Sequence, residues 1–166
     1  AGLPPPAEEP TSDLPSGLRI LIAEDNAINA LLAQCMIRRA GCTSILVENG
    51  RAAVDAIQRS MEGKSPAIDL VLMDVHMPDL DGLESAREVH RLSGQIRERP
   101  MSRSRPPLIA VTANAYPEDR KMCLDAGFDD YLAKPFSWLQ FQAILARWLP
   151  QEHGTRPNPA CNEDAA

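Results

Sequence analysis

Aromatic residues make up only 4% of this 166-residue chain, so any core it builds is filled by aliphatic side chains rather than by stacked rings. Paired cysteines are missing too. Cys35, Cys42, Cys123 and Cys161 share no metal-ligand or disulfide-framework spacing, and three of them fall in apolar-periodic stretches where a thiol acts as a small hydrophobe. That sets aside structural zinc and a disulfide scaffold and points to a reduced, cytoplasmic setting. No apolar run approaches the roughly 18 residues of a membrane span. The first residues are proline-rich and acidic rather than basic then apolar, so neither a secretory leader nor membrane contact is expected. The formal net charge of -6 argues against non-specific nucleic-acid binding.

What the chain does have is 44% hydrophobic residues, enough for one core, and domains of roughly 100–150 residues are the common size. Residues 1–17 hold Pro4, Pro5, Pro6, Pro10 and Pro15 among Glu8, Glu9 and Asp13, a composition that stays extended and reads as a disordered linker. A linker there suggests a domain hanging from a longer polypeptide; an ordinary floppy terminus accounts for it as well. Residues 18–149 are the expected folded domain. Residues 150–166, polar and bearing Pro157 and Pro159, read as a disordered tail.

Within the domain, short apolar runs alternate with helical periodicities. Leu18 to Ala23, Thr43 to Val47, Ile68 to Met73, Leu108 to Val111 and Asp130 to Ala133 read as strands. Between and after them, helices are expected over Ala27 to Ala40, Arg51 to Met61, from Leu83 to near Gly94 with Ala86, Val89 and His90 along it, over Tyr116 to Asp125, and from Ser137 onward. In the first helix Asn29, Leu32, Ala33, Met36, Ile37 and Ala40 form a stripe suited to the sheet, while Ile28, Leu31 and Cys35 form a second. That second stripe reads as a partner docking surface or as scattered apolar surface. Residues 95–107 (QIRERPMSRSRPP) are basic, carry no periodicity and read as a solvated loop, with an anion or partner site as the sharper alternative.

Five strands alternating with five helices specify an α/β layer fold with a mainly parallel sheet. Right-handed crossovers then place every strand's carboxyl end at one edge, where ligands of open α/β sheets bind. Glu24, Asp25, Asp74, Thr112 and Lys134 all fall at those ends. Three carboxylates gathered in a small space repel one another and call for a cation, and Mg²⁺ is the natural hard ion for oxygen ligands. With Lys134 and Thr112 beside it, Asp74 is placed to attack a phosphoryl group and become an aspartyl phosphate. A polar network that merely satisfies strand ends is the bland alternative, and it explains so much negative charge poorly.

The segments AEDN ending at Asn26, LVLMDVHMPDLDG around Asp74, VTANA with Thr112 and KPF starting at Lys134, in that order, resemble the receiver domain of two-component signalling. The likeness covers about Leu18 to Leu149. It implies a (βα)5 flavodoxin-like three-layer sandwich whose five-stranded parallel sheet has the order 2-1-3-4-5. It further implies that Asp74 is the phosphoacceptor, that Asp25 binds Mg²⁺ directly and Glu24 through water, and that the backbone carbonyl of His76 is a further ligand. Thr112 and Lys134 would contact the phosphoryl oxygens, Thr112 and Tyr131 would form the switch, and the Lys134-Pro135 bond would be cis.

The chain also departs from the common pattern. Glu24-Asp25 followed by Asn26 and Asn29 is similar to receivers fused to hybrid histidine kinases, whereas many receivers carry two aspartates. His76 and Asn114 stand where the family tunes hydrolysis of the acyl phosphate, and the basic loop before Leu108 is longer than in compact relatives. The resemblance therefore implies the C-terminal receiver of a hybrid sensor histidine kinase, with self-phosphorylation and autodephosphorylation of its own and a histidine kinase as the parent chain. It would take phosphoryl from a kinase histidine in the same chain and pass it to a histidine phosphotransfer protein, docking through Ile28, Leu31 and Cys35. A stand-alone single-domain response regulator is the nearest alternative. An aspartyl-phosphate phosphohydrolase is the alternative of another class, though His76 stands where such enzymes place a second aspartate. A flavin binder shares the fold but has no use for the acidic trio.

Overall fold

The apolar runs become five parallel strands, β1 (Arg19–Ala23), β2 (Thr43–Val47), β3 (Leu70–Asp74), β4 (Leu108–Thr112) and β5 (Asp130–Ala133). Helices α1 (Ala27–Arg39), α2 (Gly50–Met61), α3 (Gly82–Ile96), α4 (Pro117–Ala126) and α5 (Trp138–Trp148) connect and follow them. This computed structural model describes residues 17–77, 79–100, 102–113 and 116–149. The linker expected over residues 1–17 therefore lies, apart from its last residue, outside the described residues, as do the tail and Asn114.

The strand order is β2-β1-β3-β4-β5, the 2-1-3-4-5 order that the resemblance implied. β3 takes the centre because it is apolar on both faces: every residue from Leu70 to Asp74 is buried. Its side chains alternate between two cores. Val71 and Met73 face α2, α3 and α4 together with Leu21, Ala23, Leu108 and Ala110. Leu70 and Leu72 face α1 and α5 with Ile20, Ile22, Ile109 and Val111. The period of two along each strand thus builds both outer layers of the sandwich.

Local chemistry sets the helix ends. Asn26 caps α1 by accepting from the amides of Ile28 and Asn29, Asn49 caps α2 by accepting from Ala52, and Ser137 with Gln140 forms a capping box at α5. Gly127 stops α4 in the left-handed region at φ 112°. α3 runs past Gly94 to Ile96, because Leu92 and Ile96 still bury against the sheet and packing outweighs one glycine. His90 points outward on α3 rather than lying in its apolar face, and its Nε2 sits 2.7 Å from the Gly127 carbonyl oxygen at the end of α4.

Two sequence expectations hold only in part. On α1 the stripe against the sheet is Ala30, Ala33, Ile37 and Ala40: the expected Ala33, Ile37 and Ala40 are buried, Met36 is half-buried beside them, and Ala30 takes the place expected of Asn29 and Leu32. Small residues let α1 approach the sheet closely, and the longer Leu32 is left 54% exposed. The basic loop is exposed at Arg97 to Pro100, Arg103 and Ser104, as a solvated loop is, but it is also anchored. The Arg103 guanidinium donates to the carbonyls of Ser60 (3.2 Å) and Ser65 (2.7 Å), and its amide to Met61 O at 2.7 Å. Arg105 makes a bidentate pair with Asp129 at 2.7 and 3.0 Å, and Pro106 and Pro107 are buried.

Candidate functional site

At the carboxyl edge of the sheet the first strand leads into Glu24 and Asp25, the central one ends in Asp74, the fourth in Thr112, and the last leads into Lys134. Register brings these ends together. Ala23 lies opposite Met73, Asp74 opposite Val111, and Thr112 opposite Ala133, while the Lys134 amide donates to the Thr112 carbonyl at 2.7 Å. Residues far apart in sequence become neighbours because parallel strands all point the same way.

Carboxylate oxygens of Glu24, Asp25 and Asp74 lie within 4.8 Å of one another. Lys134 bridges two of these acids, its Nζ donating to Glu24 Oε2 at 2.6 Å and to Asp74 Oδ2 at 2.7 Å. The remaining Glu24 oxygen accepts from the Asn26 amide at 3.1 Å, and Asp74 Oδ1 accepts from the His76 amide at 3.0 Å. Both Asp74 oxygens are thereby oriented. Glu24 and Asp74 are buried, whereas Asp25 is exposed and forms the open side of the group.

Charge at this edge is strongly coupled. Burial pushes the Glu24 carboxyl up, against the Lys134 and Asn26 hydrogen bonds that favour its charged form, and the Asp74 charge adds to the rise. Burial also works against the Lys134 ammonium, but hydrogen bonds from it to Asp74 and Glu24 prevail and hold its pKa above the ordinary lysine value. Three formal negative charges against one positive leave an excess of two, the charge a divalent cation carries. The donor set is all oxygen, which suits Mg²⁺ rather than a softer metal.

Thr112 is buried at the end of its strand. Tyr131 is half-buried on β5, packed against the core formed with α2, α3 and α4, and it also lines a shallow surface pocket with Tyr116, Arg120 and Leu124. The Lys134-Pro135 peptide is cis. Ile28 and Leu31 are 71% and 59% exposed, and Cys35 is exposed with them on the outer side of α1.

One feature of the site escaped the sequence. A cavity of about 290 Å³ opens beside Asp74 and Lys134, with Leu32 and Met36 of α1 on one side and Phe136 on the other, over a floor of Ile22, Leu72 and Val111. Leu32 lines this space instead of packing on the sheet, and the half-buried Met36 does both. The alanines at 30 and 33 were the available signal, since they mark the helix face that approaches most closely.

The profile of the response regulator receiver domain matches residues 20–146. Sensor protein GacS of Pseudomonas syringae pv. syringae is 36% identical over 130 residues, which are 78% of this chain and 13% of that protein. Hybrid signal transduction histidine kinase L of Dictyostelium discoideum is 32% identical over 144 residues, 86% of this chain and 8% of that protein. The chain thus spans a small part of these relatives' length. Among solved structures, the receiver domain of sensor histidine kinase PA1611 from Pseudomonas aeruginosa PAO1, with a magnesium ion coordinated in its active site cleft, is 41% identical. That similarity covers 80% of this chain and 98% of that one, with a TM-score of 0.65. The receiver domain of Ssk1 from Saccharomyces cerevisiae, crystallised with the histidine phosphotransfer protein Ypd1, belongs to a structure matched at 27% identity and a TM-score of 0.69, covering 80% of this chain and 89% of that one.

Proposed function

The chain belongs to the response regulator receiver domain family, and on that premise we propose that it accepts a phosphoryl group on Asp74 within a phosphorelay. The donor is a kinase histidine, and the parent molecule is a hybrid sensor histidine kinase; the Dictyostelium relative is named a hybrid histidine kinase and GacS a sensor protein. The onward acceptor is a histidine phosphotransfer protein; the Ypd1-bound relative, a receiver downstream of Ypd1, supports pairing of this fold with such a protein. The setting is the cytoplasm, which suits the free thiols of Cys35 and Cys123; no described helix is long and apolar enough to cross a membrane.

The observation that carries this reading is the convergence of Glu24, Asp25 and Asp74 around Lys134. Asp25 would hold Mg²⁺ directly, Glu24 through water, and Asp74 and the His76 carbonyl would complete the protein's ligands. Bound there, the ion supplies positive charge to the phosphoryl oxygens. An Asp74 carboxylate oxygen forms the new bond to phosphorus as the bond from phosphorus to the donor's imidazole nitrogen breaks, and the leaving imidazole takes up a proton. Lys134 already sits on Asp74 and stabilises charge gathering on the transferred group. The Thr112 hydroxyl donates to a phosphoryl oxygen, and its movement opens space for Tyr131, shifting the surface of α4 and β5. Ile28, Leu31 and Cys35 form the face on which the partner docks.

Acetyl phosphate and Mg²⁺ followed by intact mass measurement test the acceptor. The wild-type chain should gain one phosphoryl group and Asp74→Asn none. An adduct of equal yield on Asp74→Asn would remove Asp74 from its role.

A further inference from the structure

Gly50 opens α2, an element that supplies none of the charged groups of the site, yet it is buried against the loop that leaves Asp74. Asn49 already caps the helix there, and alanine is a better helix former than glycine, so the helix alone would favour a side chain at this position. Space forbids it. A Cβ on residue 50 would overlap the carbonyl oxygen of Leu80 and the Ser85 Oγ and would stand 2.8 Å from the Leu80 carbonyl carbon. The Leu80 obstacle is backbone, so either α2 or the loop from Val75 to Asp81 has to move.

The loop is the element that yields. α2 is locked by Ala53, Val54, Ile57 and Met61, each no more than 1% exposed in the core. Among the described residues of the loop, Val75 is buried at its start and beyond it only the half-buried Met77 and Leu80 pack on the core, while Asp79 holds φ 68°, uncommon for a residue with a side chain. At its far end the loop folds straight back on Asp74. The Gly82 amide donates to the Val75 carbonyl at 2.8 Å, and a Cβ on Gly82 would stand 2.6 Å from the Asp74 carbonyl oxygen. Fully buried Ser85 holds the same end, its hydroxyl donating to the Asp81 carbonyl at 2.8 Å. Between these fixed points lies His76, whose amide orients Asp74 Oδ1.

We infer that Gly50, together with Ser85, is a positioning residue for the Mg²⁺ and phosphoryl site: the empty space at residue 50 admits the Leu80 carbonyl and so fixes the loop that carries His76 beside Asp74. This rests on the proposed role of the acidic group and of the His76 carbonyl as Mg²⁺ ligands. It adds α2 to the elements that set the metal's affinity.

Titration of Mg²⁺ alone into the purified chain by calorimetry, without any phosphodonor, tests this. Gly50→Ala should weaken Mg²⁺ binding about tenfold, the scale on which outer supports of a metal site act. Ser85→Ala, which loses one hydrogen bond at the loop's end, should weaken it about threefold. Ile57→Val, two turns further along α2, lowers stability without touching the loop and should bind Mg²⁺ within about twofold of wild type. A folded Gly50→Ala chain with wild-type Mg²⁺ affinity would overturn the inference. Should Gly50→Ala not fold, Ser85→Ala decides: unchanged affinity overturns the proposal and weakened affinity supports it. Failure of the underlying site looks different, because wild type would then bind no Mg²⁺ or Asp25→Asn would bind it equally well.

Discussion

The two edges of the sheet carry the same kinds of residue and use them in opposite ways. At the amino edge each acid is matched. Asp129 takes the Arg105 fork and the Leu108 amide, Asp130 takes Arg147 and the Trp148 indole, and Asp69 accepts from the Arg19 amide. At the carboxyl edge Glu24 and Asp74 share Lys134, and Asp25 stands beside them. Matched acids hold strands and loops in place; under-compensated acids hold charge in reserve for a cation and a phosphoryl group. The lesson is that an excess of charge, rather than the presence of charge, separates a working site from a structural network.

Substitutions at the two edges should therefore fail differently. The largest effect is expected from Lys134→Ala, which leaves two buried acids without their shared cation: phosphorylation by acetyl phosphate should slow about 10²–10³-fold, as for loss of one preorganised charge stabiliser, with secondary structure unchanged by circular dichroism. Leu31→Asp, on the outer side of α1, should slow phosphotransfer from a histidine phosphoprotein about tenfold or more while acetyl phosphate works as before. Equal loss with both donors would place Leu31 outside the docking face. Arg105→Ala should leave phosphorylation intact and cost about 1–2 kcal/mol in urea unfolding, because its pair with Asp129 is only partly shielded from water. Trp148→Phe, which keeps an aromatic ring but loses the bond to Asp130, should cost about 0.5–1 kcal/mol in the same measurement. A change in phosphorylation from either amino-edge variant in its folded state would erase the distinction between the edges.

Strand and helix positions were legible because buried parallel strands read as unbroken apolar runs and caps have a fixed chemistry: Asn26 and Ser137 each cap a helix where the pattern changes. The carboxyl-edge group was legible for the same reason, since each acid directly follows such a run. The inward face of α1 was legible only in part. Leu32 is more hydrophobic than Ala30, and periodicity weighs hydrophobicity, whereas the sheet selects for closeness. The role of residues 97–107 was equally hidden, because the partners of Arg103 are the backbone carbonyls of Ser60 and Ser65, which carry no sequence signature.

By itself the sequence determined the alternation of strands and helices, the acids and lysine at strand ends and the resemblance that orders them, because these depend on residues near one another along the chain. Tertiary structure alone decided that Lys134 bridges Glu24 and Asp74, that Arg105 neutralises Asp129, and that a side chain at residue 50 would meet Leu80. Each of those depends on a distance across the sheet or between helices, and only packing sets such distances.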